Sequence, residues 1–311
     1  MNGTPPRVTV LVPTYNRSDL LRRTLDSVLA QSARELTVLI SDNASEDDTA
    51  LVGEAYERAD PRVRYVRQPI NITPIPNFSW LLAQAETEFV LIVADDDWLA
   101  DDYIERCLAV MDRDPSLAIV TGVNRYAADD VRHHLTHNLA LTDRSPALRV
   151  LRYLHGRWST SAFYGLMRTS AVRPALPIAN VMGADWIFVA AVVFAGGAVT
   201  STETSLSRDQ GGASASFQRV AEVSGLSARA ARHPHAAIAF NQFRDIAFSS
   251  SAYARLGRAR RLGLGLAAAA AIVAGHPLDI LWDTFGPFAL NHRVERFTRP
   301  LLTRWRARRH T

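Results

Sequence analysis

Residues 89–97 read FVLIVADDD, an apolar run that ends in three consecutive aspartates. A short run of bulky and β-branched apolar residues predicts a strand that is buried on both faces of a sheet. Three adjacent carboxylates at the end of such a strand repel one another unless a cation lies between them. The stretch therefore predicts a sheet with a charged site at the end of one strand.

Similar apolar runs lie on both sides of this stretch, and helical patterns separate them. The other predicted strands are residues 8–12, 36–40, 63–66 and 117–121. The predicted helices begin at Ser18, at Ser45 with Asp48 as its capping-box partner, near Phe78 and at Asp102. Alternating strands and helices predict an α/β fold with a doubly wound, mostly parallel sheet and flanking helices.

Polar residues follow the first two strands. Ligands bind at the carboxyl ends of the strands in a doubly wound sheet. Pro13, Thr14, Tyr15 and Asn16 follow the first strand, and Asp42 follows the second. The first strand is not followed by a Gly-x-Gly-x-x-Gly motif, and the sequence has no Walker loop. These absences argue against a dinucleotide dehydrogenase and a P-loop NTPase.

The aspartate triplet at residues 95–97 predicts a cation site. Carboxylate oxygens suit magnesium or manganese, and diphosphate oxygens can complete an octahedral shell. The alternative is a solvated loop in which one aspartate caps the next helix. Asp101 and Asp102 can serve that helix, which leaves the triplet for a metal and a diphosphate.

The composition is that of a folded protein from a reducing compartment. The chain has 311 residues, 48% hydrophobic and 21% charged, which excludes disordered and fibrous classes. Its single cysteine, Cys107, excludes an internal disulfide and a cysteine-clustered metal site, and we expect it to pack in the core. The sequence shows no signal-peptide pattern and no uninterrupted apolar stretch of about 18 residues. We therefore expect a cytoplasmic protein.

Three motifs in combination resemble those of family 2 glycosyltransferases. They are VPTYNR at the first strand, SDNASEDDT after the second, and the pair Asn71 and Asn77 ahead of DDDW. The resemblance covers about residues 7–215. It implies a GT-A fold, a nucleotide-sugar donor, a divalent cofactor (Mn²⁺ or Mg²⁺) and inversion at the anomeric carbon. Among such enzymes the chain looks most like transferases that build O-antigen and other surface glycans.

The resemblance and the residue chemistry together suggest how the donor is bound. Pro13, Thr14 and Tyr15 would shape the base pocket, although turn chemistry alone also accounts for Tyr15 and Asn16. Asp42 can accept a hydrogen bond from the imide of uracil or thymine, or from the edge of guanine. Donors built on UDP, dTDP or GDP are therefore favoured over CDP.

The triplet and the two asparagines divide the remaining donor contacts. We assign Asp97 to the metal. Asp95 is assigned to the ribose, the diphosphate or the metal, and for Asp96 all of these roles stay open. Asn71 and Asn77 would position the donor, or would cap the helix that follows the prolines.

The second half of the chain is expected to hold the acceptor and the base. Residues 161–168 are predicted as a strand, and a helix is predicted to start near Asp185. The resemblance makes Asp185 the base that deprotonates the acceptor, while a helix-terminal acid is the alternative. Trp186 would stack on a sugar or pack in the core. Arg208, in a predicted flexible loop at 205–214, would neutralise diphosphate, or would lie in an exposed hairpin.

Two positions depart from the usual family pattern. Ala94 stands where an aspartate is common, and Asp209 where a histidine is common. They keep open a second class of function, a catalytically inactive GT-A scaffold that binds a nucleotide sugar or a glycan. The intact triplet and Asp185 favour an enzyme whose acceptor is a glycan, a lipid-linked sugar or a small molecule.

The domain prediction separates a basic end from the rest of the chain. We predict a catalytic domain at 1–220, with a nucleotide-sugar half at 1–125 and an acceptor half at 126–220, and a C-terminal helical region at 221–311. From residue 251 onward, eleven arginines stand against three acidic residues. This balance suits an anionic membrane surface at the inner face of the plasma membrane, or a solvated basic end. The basic residues gather at the tail, so no nucleic-acid partner is expected.

The sequence also allows predictions for two C-terminal stretches and for a group of histidines. Residues 228–256 and 262–274 are predicted to be helical, and the second is too short to cross a bilayer. His133, His134 and His137 have a spacing found in zinc sites, but their polar surroundings lack a neighbouring strand and argue against one.

Overall fold

A computed structural model describes residues 5–126, 138–156, 160–209, 216–277, 279–280 and 283. Strands and helices alternate in the first part of the chain, and helices dominate the last part. The strands are β1 Val8–Thr14, β2 Leu36–Asp42, β3 Val63–Arg67, β4 Phe89–Ile92, β5 Trp98–Leu99, β6 Leu117–Tyr126, β7 Ala140–Leu141, β8 Leu166–Arg168 and β9 Gly197–Arg208. The helices are α1 Ser18–Leu29, α2 Thr49–Ala59, α3 Pro74–Ala83, α4 Tyr103–Arg113, α5 Pro146–His155, α6 Thr169–Val172, α7 Ala184–Ala195, α8 Phe217–Val223, α9 Ala228–Arg232, α10 Pro234–Arg244 and α11 Arg258–Gly275.

One mixed sheet contains all of these strands, in the order β3-β2-β1-β4-β8-β6-β9-β5, with β7 paired to β9. The four strands β3, β2, β1 and β4 are parallel, as predicted. The short strand β8 lies antiparallel between β4 and β6, so the predicted fifth strand does not continue the parallel run. This insertion is the main difference from a purely doubly wound sheet.

Both faces of the sheet are covered by apolar side chains. Val8, Val10 and Val12 pack with the helices on one face, while Leu11 faces a second cluster on the other. This alternation follows from the period of two along a strand. The cluster around Val10 also contains the fully buried thiol of Cys107, which confirms its predicted place in the core.

Two predicted helix caps are wrong. Ser18 is the first residue of α1, and the preceding Arg17 makes no side-chain capping bond. The helix predicted from Ser45 begins four residues later, at Thr49. The Ser45 hydroxyl instead accepts a hydrogen bond from the backbone N–H of Asn16, which fastens the two strand ends together.

Other boundaries also differ in the second half. Residues 160–164 form a 3₁₀ turn, so only Leu166–Arg168 of the predicted strand at 161–168 is extended. The predicted helical stretch 228–256 is divided into α9, α10, a π-helical turn at Asp245–Ser249 and a 3₁₀ turn. The predicted apolar segment 262–274 lies within α11.

The C-terminal helices share the core of the sheet domain. Ile238, Tyr253 and Ile272 belong to the same buried cluster as Phe188 of α7 and Val150 of α5. The division at residue 220 stays a prediction. In the described part of the chain, no helix combines the length and the hydropathy of a membrane span. The histidines at 133–137 and the tail at 290–311 lie outside the described residues.

Asp245 is a largely buried acid at the turn after α10. Its Oδ2 atom is buried and has no hydrogen-bond partner in the described structure. Burial raises the pKa of Asp245 to about 7, while the charges of Arg261 and Arg244 act in the opposite direction. Because the unfolded carboxyl ionises near its ordinary pKa, the folded state holds this proton longer than the unfolded state does.

The Asp245→Asn variant is expected to be more stable than the wild type at neutral pH. Between about pH 4 and pH 7 the unfolded state binds fewer protons at this site, so the stability of the wild type falls as pH rises. Asparagine stays neutral, and its advantage grows over this window to a plateau on the order of 2 kcal/mol above pH 7.

Thermal unfolding of both proteins from pH 4 to pH 8 measures this difference. Glu86→Gln, at an exposed position, provides the control and should track the wild type. A constant offset between wild type and Asp245→Asn at every pH would show that the carboxyl does not titrate in this window.

Candidate functional site

The carboxyl ends of β1, β2 and β4 meet at one edge of the sheet. Thr14 and Asp42, the last residues of β1 and β2, are partners in register. The backbone N–H of Tyr15 donates to Asp95 Oδ2 over 3.4 Å, so the loop after β1 touches the loop after β4. Predicted site residues from three separate motifs are thus brought together. The Tyr15 side chain is 41% exposed and faces outward from this edge.

Asp42 lies completely inside the protein. Its Oδ1 accepts from the backbone N–H of Ser45 at 2.8 Å, and its Oδ2 accepts from the Tyr65 hydroxyl at 2.6 Å. The Arg67 guanidinium lies 3.9 Å from Oδ2. A direct contact between Asp42 and a base is therefore not preformed, because these partners must move to admit one.

Asn16 joins the loop after β1 to the loop after β2. Its side-chain oxygen accepts from the backbone N–H of Glu46 at 2.7 Å. Its φ of 53° lies in the left-handed region, which asparagine tolerates better than most residues. Asn16 thus has the backbone conformation and the side-chain hydrogen bond of a turn residue.

The two asparagines hold the first turn of α3 and the segment before it to the end of β2. Asn77 is buried, and its Oδ1 accepts from the Ser41 hydroxyl at 2.6 Å while its amide donates to the Ser41 carbonyl. Asn71 Oδ1 accepts from the Asn43 amide at 3.0 Å. Neither caps α3, whose preceding residue Thr73 makes no side-chain capping bond. The capping alternative is therefore wrong.

The aspartate triplet forms the centre of the site. Burial raises the pKa of Asp95 to about 7, and the charge of Asp96 adds to the rise. The Thr14 hydroxyl, the charge of Arg17 and the N–H of Tyr15 lower it in part. Asp96 Oδ2 lies 3.6 Å from the Arg17 guanidinium.

Asp97 and Arg208 form a buried ion pair. Arg208 Nε lies 3.2 Å from Asp97 Oδ2, and its guanidinium carbon lies 4.5 Å from the centre of the Tyr164 ring. Burial raises the pKa of Asp97 to about 6, Arg208 lowers it, and Asp96 raises it further. Arg208 ends β9, so residues 205–208 belong to a strand and not to the predicted loop. Asp209 follows, and residues 210–215 lie outside the described part.

Asp185, on α7, is near enough to Arg208 for the charge of that arginine to act on it. Asp185 lies in the first turn of that helix, which is the position expected both for a general base and for a helix-terminal acid. Burial raises the pKa of Asp185, while two backbone N–H groups and the charge of Arg208 lower it. The preceding Gly183 has a φ of 78°, and a Cβ there would lie 2.6 Å from the Ile238 side chain, so glycine is required at this turn. Trp186 packs against the apolar cluster, as the core interpretation predicted.

The triplet fits a divalent cation on the chemistry of its donors. Asp95, Asp96 and Asp97 present carboxylates from one turn in which the Asp97 N–H donates to the Ala94 carbonyl over 3.1 Å. Hard oxygen ligands of this type suit Mg²⁺ or Mn²⁺. Ala94 contributes no carboxylate, so the ligands come from the triplet itself, in which the Asp96 carboxylate lies beside the Arg17 guanidinium.

Four residues that contact the site were given no role in the sequence analysis: Arg17, Arg23, Tyr65 and Tyr164. Arg23 donates to the Asp96 carbonyl at 2.9 Å, lies 3.6 Å from Asp209 Oδ2 and stacks over the Trp98 ring at 4.0 Å. Tyr65 holds Asp42, and Tyr164 holds Arg208. Of these residues, only Arg17 could have been identified from the sequence, because it ends the VPTYNR motif.

Comparison with known proteins places this site in a family. The family model Glycosyl transferase family 2 matches residues 9–173. GalNAc(5)-diNAcBac-PP-undecaprenol beta-1,3-glucosyltransferase of Campylobacter jejuni is 37% identical over 95 residues, which cover 30% of this chain and 31% of that protein. Chondroitin synthase of Escherichia coli is 33% identical over 121 residues, or 39% of this chain and 17% of that one. The chain thus spans less than a third of either curated relative.

Solved structures confirm the predicted GT-A fold. S. aureus TarS 1-349 in complex with UDP-GlcNAc superposes with a TM-score of 0.60 at 18% identity, covering 93% of this chain and 77% of that one. Mannosyltransferase PcManGT from Pyrobaculum calidifontis, in complex with GDP-Man and Mn²⁺, gives 0.55 at 21% identity, covering 95% and 84%. These identities support the fold alone, and the family follows from the matched model. The chain belongs to glycosyl transferase family 2.

Proposed function

We propose that this protein is a metal-dependent, inverting glycosyltransferase that moves a sugar from a nucleoside-diphosphate sugar to an acceptor hydroxyl in surface-glycan synthesis. The observation that carries the proposal is that Arg208, at the end of β9, acts on both Asp97 and Asp185. Arg208 contacts Asp97 directly, and its charge acts on the pKa of Asp185. A phosphate-binding cation and a proton acceptor therefore lie in one site.

The loops after β1 and β2 are proposed to hold the nucleotide. Tyr15 exposes its ring beside the triplet, where a base can stack on it. The Tyr65 hydroxyl and Arg67 cover Asp42, and their displacement would let Asp42 accept from an imide N–H. The bases of UDP and dTDP carry an imide N–H and that of GDP carries a ring N–H on the corresponding edge, whereas the base of CDP has no ring N–H there. UDP-GlcNAc bound to TarS and GDP-Man bound to PcManGT support this class of donor.

Asp185 is proposed to act as the general base. As the acceptor oxygen attacks the anomeric carbon, its proton passes to the Asp185 carboxylate, and the bond from that carbon to the diphosphate oxygen breaks on the opposite face. The product therefore has inverted configuration. Arg208 neutralises charge that develops on the departing diphosphate.

Asp95 and Asp97 are proposed to hold Mn²⁺ or Mg²⁺, with Asp96 beside them. A divalent cation supplies charge neutralisation for the diphosphate leaving group. Arg17 and Arg23 steady the loop that carries these ligands through Asp96. The Mn²⁺ in the PcManGT complex supports a divalent cation in this fold.

Asp185→Asn is expected to lower kcat by about 10²- to 10⁴-fold while donor affinity stays within about twofold, because an amide cannot accept the proton. Product formation from labelled donors and nucleotide calorimetry provide the two readouts. The exposed Asp101→Asn serves as the control and should keep full activity. Retained turnover in Asp185→Asn would contradict the base assignment. A wild type that binds donor and never turns over would favour the inactive scaffold.

Asp97→Asn is expected to abolish metal-dependent nucleotide binding. In calorimetry with UDP, dTDP, GDP and CDP, each with and without Mn²⁺, one nucleotide should bind the wild type tightly only with metal. The variant should weaken that binding by at least about 100-fold, because a direct ligand is lost. Glu86→Gln should bind like the wild type. Equal binding with and without metal would contradict the metal assignment.

The C-terminal helices are proposed to rest on an anionic membrane surface, which would place a cytoplasmic enzyme at the inner face of the plasma membrane near lipid-linked acceptors. One face of α11 exposes Leu266 at 63% and Val273 at 48%. Arg258 and Arg260 stand exposed at the start of the same helix. Exposed apolar residues beside arginine suit an interfacial helix.

Leu266→Glu is expected to reduce flotation with vesicles that contain anionic lipid, because it puts a charge on the apolar face. Leu51→Glu provides a matched control, since Leu51 is 62% exposed on α2. Removal of residues 290–311 tests the basic tail in the same assay. If the wild type does not float with anionic vesicles, the membrane proposal fails.

A further inference from the structure

A cluster of histidines and carboxylates lies where α10 begins and α11 ends, and none of its members belongs to the aspartate triplet. His235 is the second residue of α10, and His276 directly follows α11. Asp279 and Asp283 come shortly afterwards. His235 and His276 are 8% and 6% exposed, so both imidazoles are buried, whereas the Asp279 side chain is 32% exposed.

The two imidazoles are held in a defined arrangement. Their ring centroids are 5.2 Å apart at an interplanar angle of 25°. His235 Nδ1 lies 2.8 Å from Asp283 Oδ2, and His276 Nδ1 lies 3.5 Å from Asp279 Oδ2. One ligand atom from each of His235, His276 and Asp279 falls within 4.8 Å of the other two.

One nitrogen of this cluster lacks a partner. His276 Nε2 is buried and makes no hydrogen bond within the described residues. An unsatisfied buried polar atom costs about 1–3 kcal/mol, so such an atom needs an explanation. A metal ion bound to this nitrogen would satisfy it.

We propose that His235, His276 and Asp279 bind a divalent transition metal of the zinc class, at a second metal site distinct from the aspartate triplet. Imidazole nitrogens select zinc over magnesium and manganese, which prefer oxygen ligands. Three protein ligands and one open position match a four-coordinate zinc site. Asp283 positions His235 through Nδ1, as a carboxylate behind a zinc-bound histidine does.

Small side-chain movements complete the site. Tetrahedral bonds of about 2.1 Å place ligand atoms roughly 3.4 Å apart. The present ligand atoms lie within 4.8 Å of one another, so the side chains would have to move closer to bind a metal, and the His276 ring, whose Nδ1 now faces Asp279, would have to turn for Nε2 to serve as the ligand.

The bound metal would fasten the C-terminal helices beside α7. It would join the first turn of α10 to the end of α11 through His235 and His276. The Trp186 ring lies 5.2 Å from the His276 ring, and Phe217 lies 5.4 Å from His235. The metal would therefore order the segment that packs on the start of α7. Binding of this metal does not depend on the proposed transferase activity.

Zinc titration of metal-free protein tests the site. Asp97→Asn, in which the triplet cannot bind tightly, should retain one equivalent of zinc, measured by calorimetry and by metal analysis after gel filtration. His276→Asn and His235→Asn should each weaken this zinc by at least about 100-fold. His155→Asn, at an exposed histidine on α5, should bind like the wild type. Unchanged zinc affinity in both cluster variants would overturn the proposal.

A second measurement uses the unmutated cluster, in case either variant fails to fold. In ¹⁵N-resolved spectra of the histidine rings, one equivalent of zinc should shift the His235 and His276 signals and leave that of His155 in place. Zinc should also raise the Tm of Asp97→Asn, because it binds only the folded state. Zinc-independent His235 and His276 signals would overturn the proposal even if zinc binds elsewhere.

Discussion

The buried ion pair between Asp97 and Arg208 joins the loop after β4 to the last long strand. Their exposures are 1% and 8%, so each charge has lost nearly all of its water. Burying a charge costs several kcal/mol, and the cost is recovered only when geometry and additional contacts are good. Here the Tyr164 ring contacts the guanidinium at 4.5 Å. Loss of either partner would leave an uncompensated buried charge. The ion pair therefore couples the position of the loop after β4 to that of the end of β9.

The sheet topology brings Asp97 and Arg208 together. The short strand β5 pairs antiparallel with β9, with Trp98 opposite Ser207. The same register places residue 97 opposite residue 208. On its other side β9 runs parallel to β6, where Tyr126 is the partner of Arg208. The triplet therefore lies on the connection between β4, the last of the four parallel strands, and β5, which joins the mixed part of the sheet through β9.

Sequence patterns predicted the parallel half well, because runs such as 8–12 and 36–40 are long, apolar and bounded by polar turns. They missed the antiparallel insertion of β8, since a strand of three residues carries little periodic signal. They singled out candidate site residues through local motifs but could not show which of them would be covered by other side chains. Whether Asp42 is open or held by Tyr65 depends on a contact between two strands, β2 and β3, which no local pattern encodes. The histidine cluster was missed for the same reason, because it joins the ends of two separate helices.

Helix α7 connects the two sites that the structure suggests. Asp185 and Trp186 are neighbours in its first turn. The charge of Arg208 acts on Asp185, whereas the Trp186 ring packs against the His276 ring. Because Gly183 is pressed against Ile238 of α10, the direction in which α7 starts depends on where α10 lies. A cation that binds His235 at the start of α10 would thereby restrict the position of Asp185. The C-terminal helices are, on this view, the support that holds the proposed base at a fixed place relative to the triplet.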